Sequence, residues 1–166
     1  MLELSWWVVA FILVAIVVTF IAIVVSSLAS RMHRINIRTD LARISLESTL
    51  GRRAAVVRAA YPELTPDVAR AESILLTADA PAARVDAENA VATKLRRLMA
   101  ENPPEPAMAI ELQDVRTRVE LSRRFYNDAV TDTLALRRHP LIRALRLTGT
   151  AKAPAYVDLV SDEVID

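Results

Sequence analysis

From Leu4 to Ser30 the chain carries no charged side chain, and this stretch limits its folding more than any other. A helix rises 1.5 Å per residue, so Trp6 to Val25 alone spans about 30 Å, the thickness of a bilayer's hydrocarbon core. Leu, Ile, Val and Phe each favour insertion by roughly 0.3–0.6 kcal/mol at a helix centre, and they dominate the run. A helix buried in a soluble core rarely lacks charge for so long. "SLA" before Ser30 loosely fits a small-residue cleavage site, but Glu3 stands where a signal peptide is basic. The apolar run is also about twice the usual signal length. We therefore read an uncleaved transmembrane helix from about Trp6 to Leu28, with residues 1–30 as the anchor.

Its flanks define an orientation. Trp6 and Trp7 stand at one end and Arg31 and Arg34 at the other, and these four are the expected membrane-interface anchors. No Lys or Arg precedes the run, whereas Arg31, Arg34, Arg38 and Arg43 follow it. The positive-inside rule then puts the N-terminus outside and residues 31–166 in the cytoplasm, at an inner (plasma) membrane.

Composition narrows the rest. Only two Gly argue against β-rich or turn-rich folds. The absence of Cys excludes disulfides, thiolate metal sites and cysteine nucleophiles. A net charge of +1 gives no drive toward nucleic acid. Lys occurs only at Lys94 and Lys152, and the resulting Arg bias points, by codon usage, to a GC-rich bacterial genome.

Residues 31–148 read as an antiparallel bundle of three to four helices, and the expected fold class is all-α. No Gly or Pro interrupts Arg31 to Leu50, so the membrane helix continues as a rod, with Ile37, Leu41 and Ile44 at helical spacing and Gly51 a soft point. "YPELTP" at residues 61–66 breaks it, with Thr65 as N-cap and Pro66 at the first helical position. We read this break as a kink; a full reversal would instead return the segment after Pro140 to the membrane. A second segment runs to about Thr77 with Val68, Ala71 and Leu75 inward. A third spans about Ala82 to Ala100, with Val85, Ala92, Leu95 and Met99 as its stripe. "ENPPEP" stops that helix.

The last long helix, about Pro106 to Arg137, places Leu112, Val115, Val119, Ser122, Tyr126, Ala129, Thr133 and Leu136 at alternating steps of three and four. Leu121 and Phe125 widen this coiled-coil-like seam. Mixed charge on the other positions reads as a solvated face, and His139–Pro140 ends the helix. "LIRALRL" after Pro140 either lies on the anionic inner leaflet or caps the bundle, and we read it as a cap. Residues 149–166 form an acidic tail, expected to be poorly ordered.

"RRFYNDAV", Arg123 to Val130, resembles the signature of the LemA family of bacterial membrane proteins. "HPLIRAL", "APAYVDL" and "DAEN" at Asp86–Asn89 occupy matching places in that family's layout. The first cytoplasmic helix differs, since "GRRAAVVRAAYPE" lacks the family's apolar-Pro-Asn motif, as in a divergent member. The resemblance implies a helical bundle on one membrane anchor and no established enzymatic activity.

The residues point the same way. His33 and His139 lie far apart in the chain, one at the membrane exit and one at a helix end. Asp86 and Glu88, two apart, point in different directions on a helix. Glu111 and Asp114 share an exposed face, and Ser122 suits a small seam position. Neither Gly51 nor Gly149 builds a phosphate loop. We thus expect no catalytic residue, no metal, no cofactor and no small-molecule substrate. Tyr126 reads as a seam residue whose hydroxyl reaches a partner in the bundle. Asn127 faces water or ties down the C-terminal crossover. The functional alternative makes Phe125, Tyr126 and Asn127 a partner-docking patch.

The function expected is a non-catalytic, membrane-anchored interaction or scaffold protein, an accessory subunit of a larger respiratory-chain or envelope assembly. Its partners would be the lipid bilayer and other membrane-protein subunits. The alternative is a membrane-stress module that recruits a cytoplasmic kinase or protease. A C-terminal tag on cells should resist external protease; digestion from outside would reverse the orientation.

Overall fold

A single helix, α1 (Trp6–Ala60), carries both the uncharged run and the polar stretch that follows it. The computed structural model describes residues 6–145 and 152–160. After α1 come a 3-10 turn (Pro62–Leu64), α2 (Thr65–Glu72), α3 (Ala82–Glu101), α4 (Pro106–Arg137) and the short α5 (Pro140–Ala144). Residues 152–160 follow as an extended strap, and no strand occurs among the described residues.

The first five turns of α1 are exposed on every side. Their one mid-run hydroxyl, Thr19, donates to the carbonyl of Ala15 at 2.8 Å, so that hydroxyl is satisfied within the helix. Among the described residues, α1 alone is long and apolar enough to cross a membrane, with mean hydropathy 3.4 over its most apolar window. From Met32 onward one face of α1 is buried, through Thr39, Leu46, Leu50, Arg53, Ala54 and Val57.

The break at residues 61–66 is a full reversal and not the kink read from the sequence. Pro62 and Pro66 withhold two amide donors, and Tyr61 leaves the helical region at φ −136°, ψ 82°. The returning chain lies beside α1: Glu72 pairs with Arg58, and the carbonyl of Leu76 accepts from Arg43 Nη1 at 3.0 Å. α3 then climbs again, carrying Asn102 to the Tyr61 hydroxyl (2.8 Å). α4 descends antiparallel to α1, as successive pairs record: Arg52–Glu111, Thr49–Ser122, Thr39–Thr133 and Arg38–Asp132. The strap runs back up between α3 and α4, from Arg137 to Asn89.

Burial explains which elements matched their sequence reading. All eight seam positions of α4 are buried except Ser122, which is half-buried against Thr49. Leu121 and Phe125 do not widen that seam; both are more than half exposed on the outer flank. Ile37, Leu41 and Ile44 also face away from the core, because α1 turns its Thr39–Leu46–Leu50 face inward instead. In the α2–α3 connection Leu76, not Leu75, is buried, since the chain leaves helical periodicity after Glu72. Thr65 is the first residue of α2 and makes no capping bond. Gly51 lies inside an unbroken helix, where an added Cβ would meet open space.

The core has three parts along the body: a middle one around Leu46, Leu50, Leu76 and Tyr126, an upper one around Val57, Val68 and Leu95, and a basal one of Met32, Leu136 and Ile142. In chemical denaturation, Leu46→Ala should cost about 2–5 kcal/mol through its cavity. Gly51→Ala should instead stabilise by about 0.5–1 kcal/mol.

Candidate functional site

α4 carries its most specific string on the side that faces the strap. Arg123, Tyr126 and Asn127 recur at i, i+3 and i+4, so one helix face presents all three. The Asn127 amide holds the strap from both sides: Nδ2 donates to the carbonyl of Val157 and Oδ1 accepts from its amide, each at 2.9 Å. Asn89 on α3 repeats the arrangement one step further on, donating to the carbonyl of Asp158 (3.3 Å) and accepting from the amide of Val160 (2.8 Å). Tyr126, fully buried, donates to the carbonyl of Ala155 at 3.0 Å. That burial pushes its hydroxyl pKa above the ordinary phenol value. The amide of Ala155 in turn donates to the carbonyl of Ala78 (2.7 Å).

These groups make a groove for an extended backbone. Between them the two side-chain amides engage four successive peptide units, while Val157 and Leu159 fill the apolar floor. Recognition of this kind reads main chain and spacing, with side-chain specificity left to the buried valine and leucine. Beside the groove, Glu120 receives two hydrogen bonds from Arg123, at 2.9 and 2.8 Å, and one from Arg124. The bond to Arg123 is the main reason its carboxyl is held down at about 2. Asp158 of the strap adds its field to Arg123, whose own pKa is raised chiefly by Glu120.

Two further charge clusters brace the same region. Arg53, Arg84 and Glu88 are all buried, with Glu88 taking Arg84 at 2.9 Å and Arg53 at 3.3 Å. Arg84 also donates to the carbonyl of Ile74 (2.9 Å). Removing one member of such a group typically costs about 3–5 kcal/mol, since a charge is then left buried. At the lower end, a cleft of about 350 Å³ is lined by Asn36, Thr39, Asp40, Asp79, Thr133, Arg137 and Lys152. Within it Lys152 lies 3.2 Å from Asp79, and its hydrogen bond is the main cause of that carboxyl's lowered pKa. Among the described residues, no group of three or more His, Asp or Glu is placed to hold a metal ion.

The residues singled out from the sequence separate here. Phe125 is exposed, Tyr126 lies in the core and Asn127 is engaged by the strap, so the three do not form one free patch. The cause is helical geometry: consecutive residues point about 100° apart. The tail expected to be poorly ordered is held down over residues 152–160; its residues 149–151 and 161–166 lie outside the described ones. Trp6, Trp7, Arg31 and Arg34 are exposed at the two ends of the uncharged run. His33 and His139 are exposed, as is Asp86, while Glu88 two residues on is buried. Glu111 pairs with Arg52 and Asp114 with Arg118. Sequence reasoning named Asn89 and Glu88 without their roles, and passed over Arg53 and Arg84. The i, i+4 spacing of Arg84 and Glu88 was the one available signal.

No family model, curated protein or solved structure matches this chain.

Asn127→Ala removes two hydrogen bonds, together worth about 1–3 kcal/mol. Hydrogen exchange should then rise over residues 152–160 while α1 and the rest of α4 stay protected.

Proposed function

We propose that this chain is a membrane-anchored, non-catalytic interaction protein, an accessory subunit of a larger bacterial membrane assembly. In this reading the N-terminal run of α1 spans the inner membrane with Trp6 and Trp7 outside, and the helical body sits in the cytoplasm. The body is then a LemA-like antiparallel bundle, a likeness that rests on "RRFYNDAV" and the order of its elements.

One observation carries the reading. α1 is uninterrupted from Trp6 to Ala60, so the apolar run and the body form one rod. That rod keeps an apolar outer stripe, Ile37, Leu41 and Ile44, beyond the uncharged run. Leu121 and Phe125 of α4 are exposed as well, beside Ser122, which meets Thr49 of α1. An exposed apolar strip continuing a spanning helix suits lateral packing on another subunit's helix. The uncharged run offers no ionisable group for transport or proton relay. The buried Arg53, Arg84 and Glu88, and the Arg123–Glu120 and Lys152–Asp79 pairs beside the strap, are engaged with one another and not around an open reactive centre.

Purification from native membranes in mild detergent should recover a stoichiometric companion. Leu41→Glu combined with Phe125→Glu should strip that companion without unfolding the body. A sharp monomer from the native chain would defeat the proposal.

A further inference from the structure

The reversal at residues 61–66 brings the chain after Pro140 back to the place where α1 emerges from its uncharged run. Ile142 of α5 is fully buried on Met32 and Leu136, with Leu28 and Ile35 packed alongside. Leu28 lies within that run and Arg31 ends it, so α5 is pinned at the boundary between the two. Pinning one side of so short a helix leaves the other side bare. Leu141 and Leu145 are 47% and 44% exposed, and Arg143 is exposed between them.

The charge at this level is one-sided. Arg31 and Arg34 on α1, Arg138 after α4 and Arg143 on α5 are all exposed, and among the described residues none of the four makes an ion pair. The nearby carboxylates Asp132 and Asp79 are taken by Arg38 and Lys152, which leaves Asp40. An apolar edge with unpaired guanidinium groups, set at the end of a helix of bilayer-spanning length, matches the layering of a membrane surface. Leucines enter the acyl boundary there, and arginines meet phosphate.

We infer that α5, with Arg31, Arg34, Arg138 and Arg143, is a second membrane contact that seats the base of the helical body on acidic lipid headgroups. The inference rests on the reading of α1 as a spanning helix and adds a surface contact to it. A single spanning helix leaves a body free to tilt and swivel; a second contact sets its angle. The outer stripe of Ile37, Leu41 and Ile44 then stands at a constant height and bearing above the bilayer.

The test uses the full chain in lipid nanodiscs of phosphatidylcholine, with or without phosphatidylglycerol, and lipids brominated along the acyl chain as fluorescence quenchers. The native protein reports on Trp6 and Trp7, and so on the spanning helix alone. A Trp6→Phe, Trp7→Phe, Leu145→Trp variant reports on α5, with Leu141→Trp in the same background as its duplicate. Both substitutions replace exposed side chains and keep the fold. The α5 indole should be quenched by bromines near the headgroup end, several-fold more strongly when phosphatidylglycerol is present. Arg138→Ser with Arg143→Ser should abolish that difference. Native quenching without α5 quenching overturns the inference and leaves the spanning helix standing. An α5 indole shielded from iodide but not reached by lipid overturns it in favour of a protein cover. Quenching indifferent to lipid charge overturns the headgroup assignment. Loss of native Trp6 and Trp7 quenching removes the spanning helix and this inference with it.

Discussion

The antiparallel contact between α1 and α4 supports every other feature of the molecule. It is close because the seam of α4 includes Ser122, Ala129 and Thr133, small residues that let two backbones approach. At its lower end the Thr39 hydroxyl sits 2.9 Å from that of Thr133 and 3.3 Å from the carbonyl of Ala129. Their polar groups therefore satisfy one another inside a contact that water does not reach. Higher up, Leu46 and Leu50 meet Val119, Tyr126 and Val130, and burial of large side chains takes over from hydrogen bonding. Both kinds of contact need the same register, which the ion pairs Arg52–Glu111 and Arg38–Asp132 bracket at either end.

With that register set, the remaining elements have little freedom. α2 and α3 close over the inner face of α1, and in the Arg53–Glu88–Arg84 cluster one buried carboxylate joins an arginine of α1 to one of α3. The groove left between α3 and α4 is lined by Tyr126, Asn127 and Asn89, and the strap fills it. "RRFYN" thus divides by direction: Arg123, Tyr126 and Asn127 serve the strap, while Arg124 and Phe125 face outward. One string can hold the chain's own tail and still offer a residue to the outside. The same geometry brings α5 to the base, where Ile142 closes the core against Met32.

How much of this was legible beforehand depends on the range of the forces involved. The bounds of α3 and α4 followed from proline stops and a three-four seam, both local in the chain. Leu75 misled, and the spacing of Ile37, Leu41 and Ile44 located a helix without giving its inner face, because periodicity shows that an apolar face exists without showing which neighbour it meets. The reversal at "YPELTP" was misread for a related reason. Two prolines break a helix in either case, and whether the chain then turns back depends on what Val68, Ala71 and Leu76 can bury against. The strap was hidden too, since its partners Asn89, Asn127 and Ala78 lie some 30 to 80 residues away along the chain.

The sequence by itself determined an all-helical chain and the uncharged run at its start, because solvation and backbone preference act residue by residue. Tertiary structure alone decided that residues 61–66 reverse, that Asn127 binds the strap instead of facing water, and that Ile142 returns to Met32. Each of these depends on shape and hydrogen-bond complementarity between segments distant in the chain. Such complementarity exists only once α1 and α4 have come together in register.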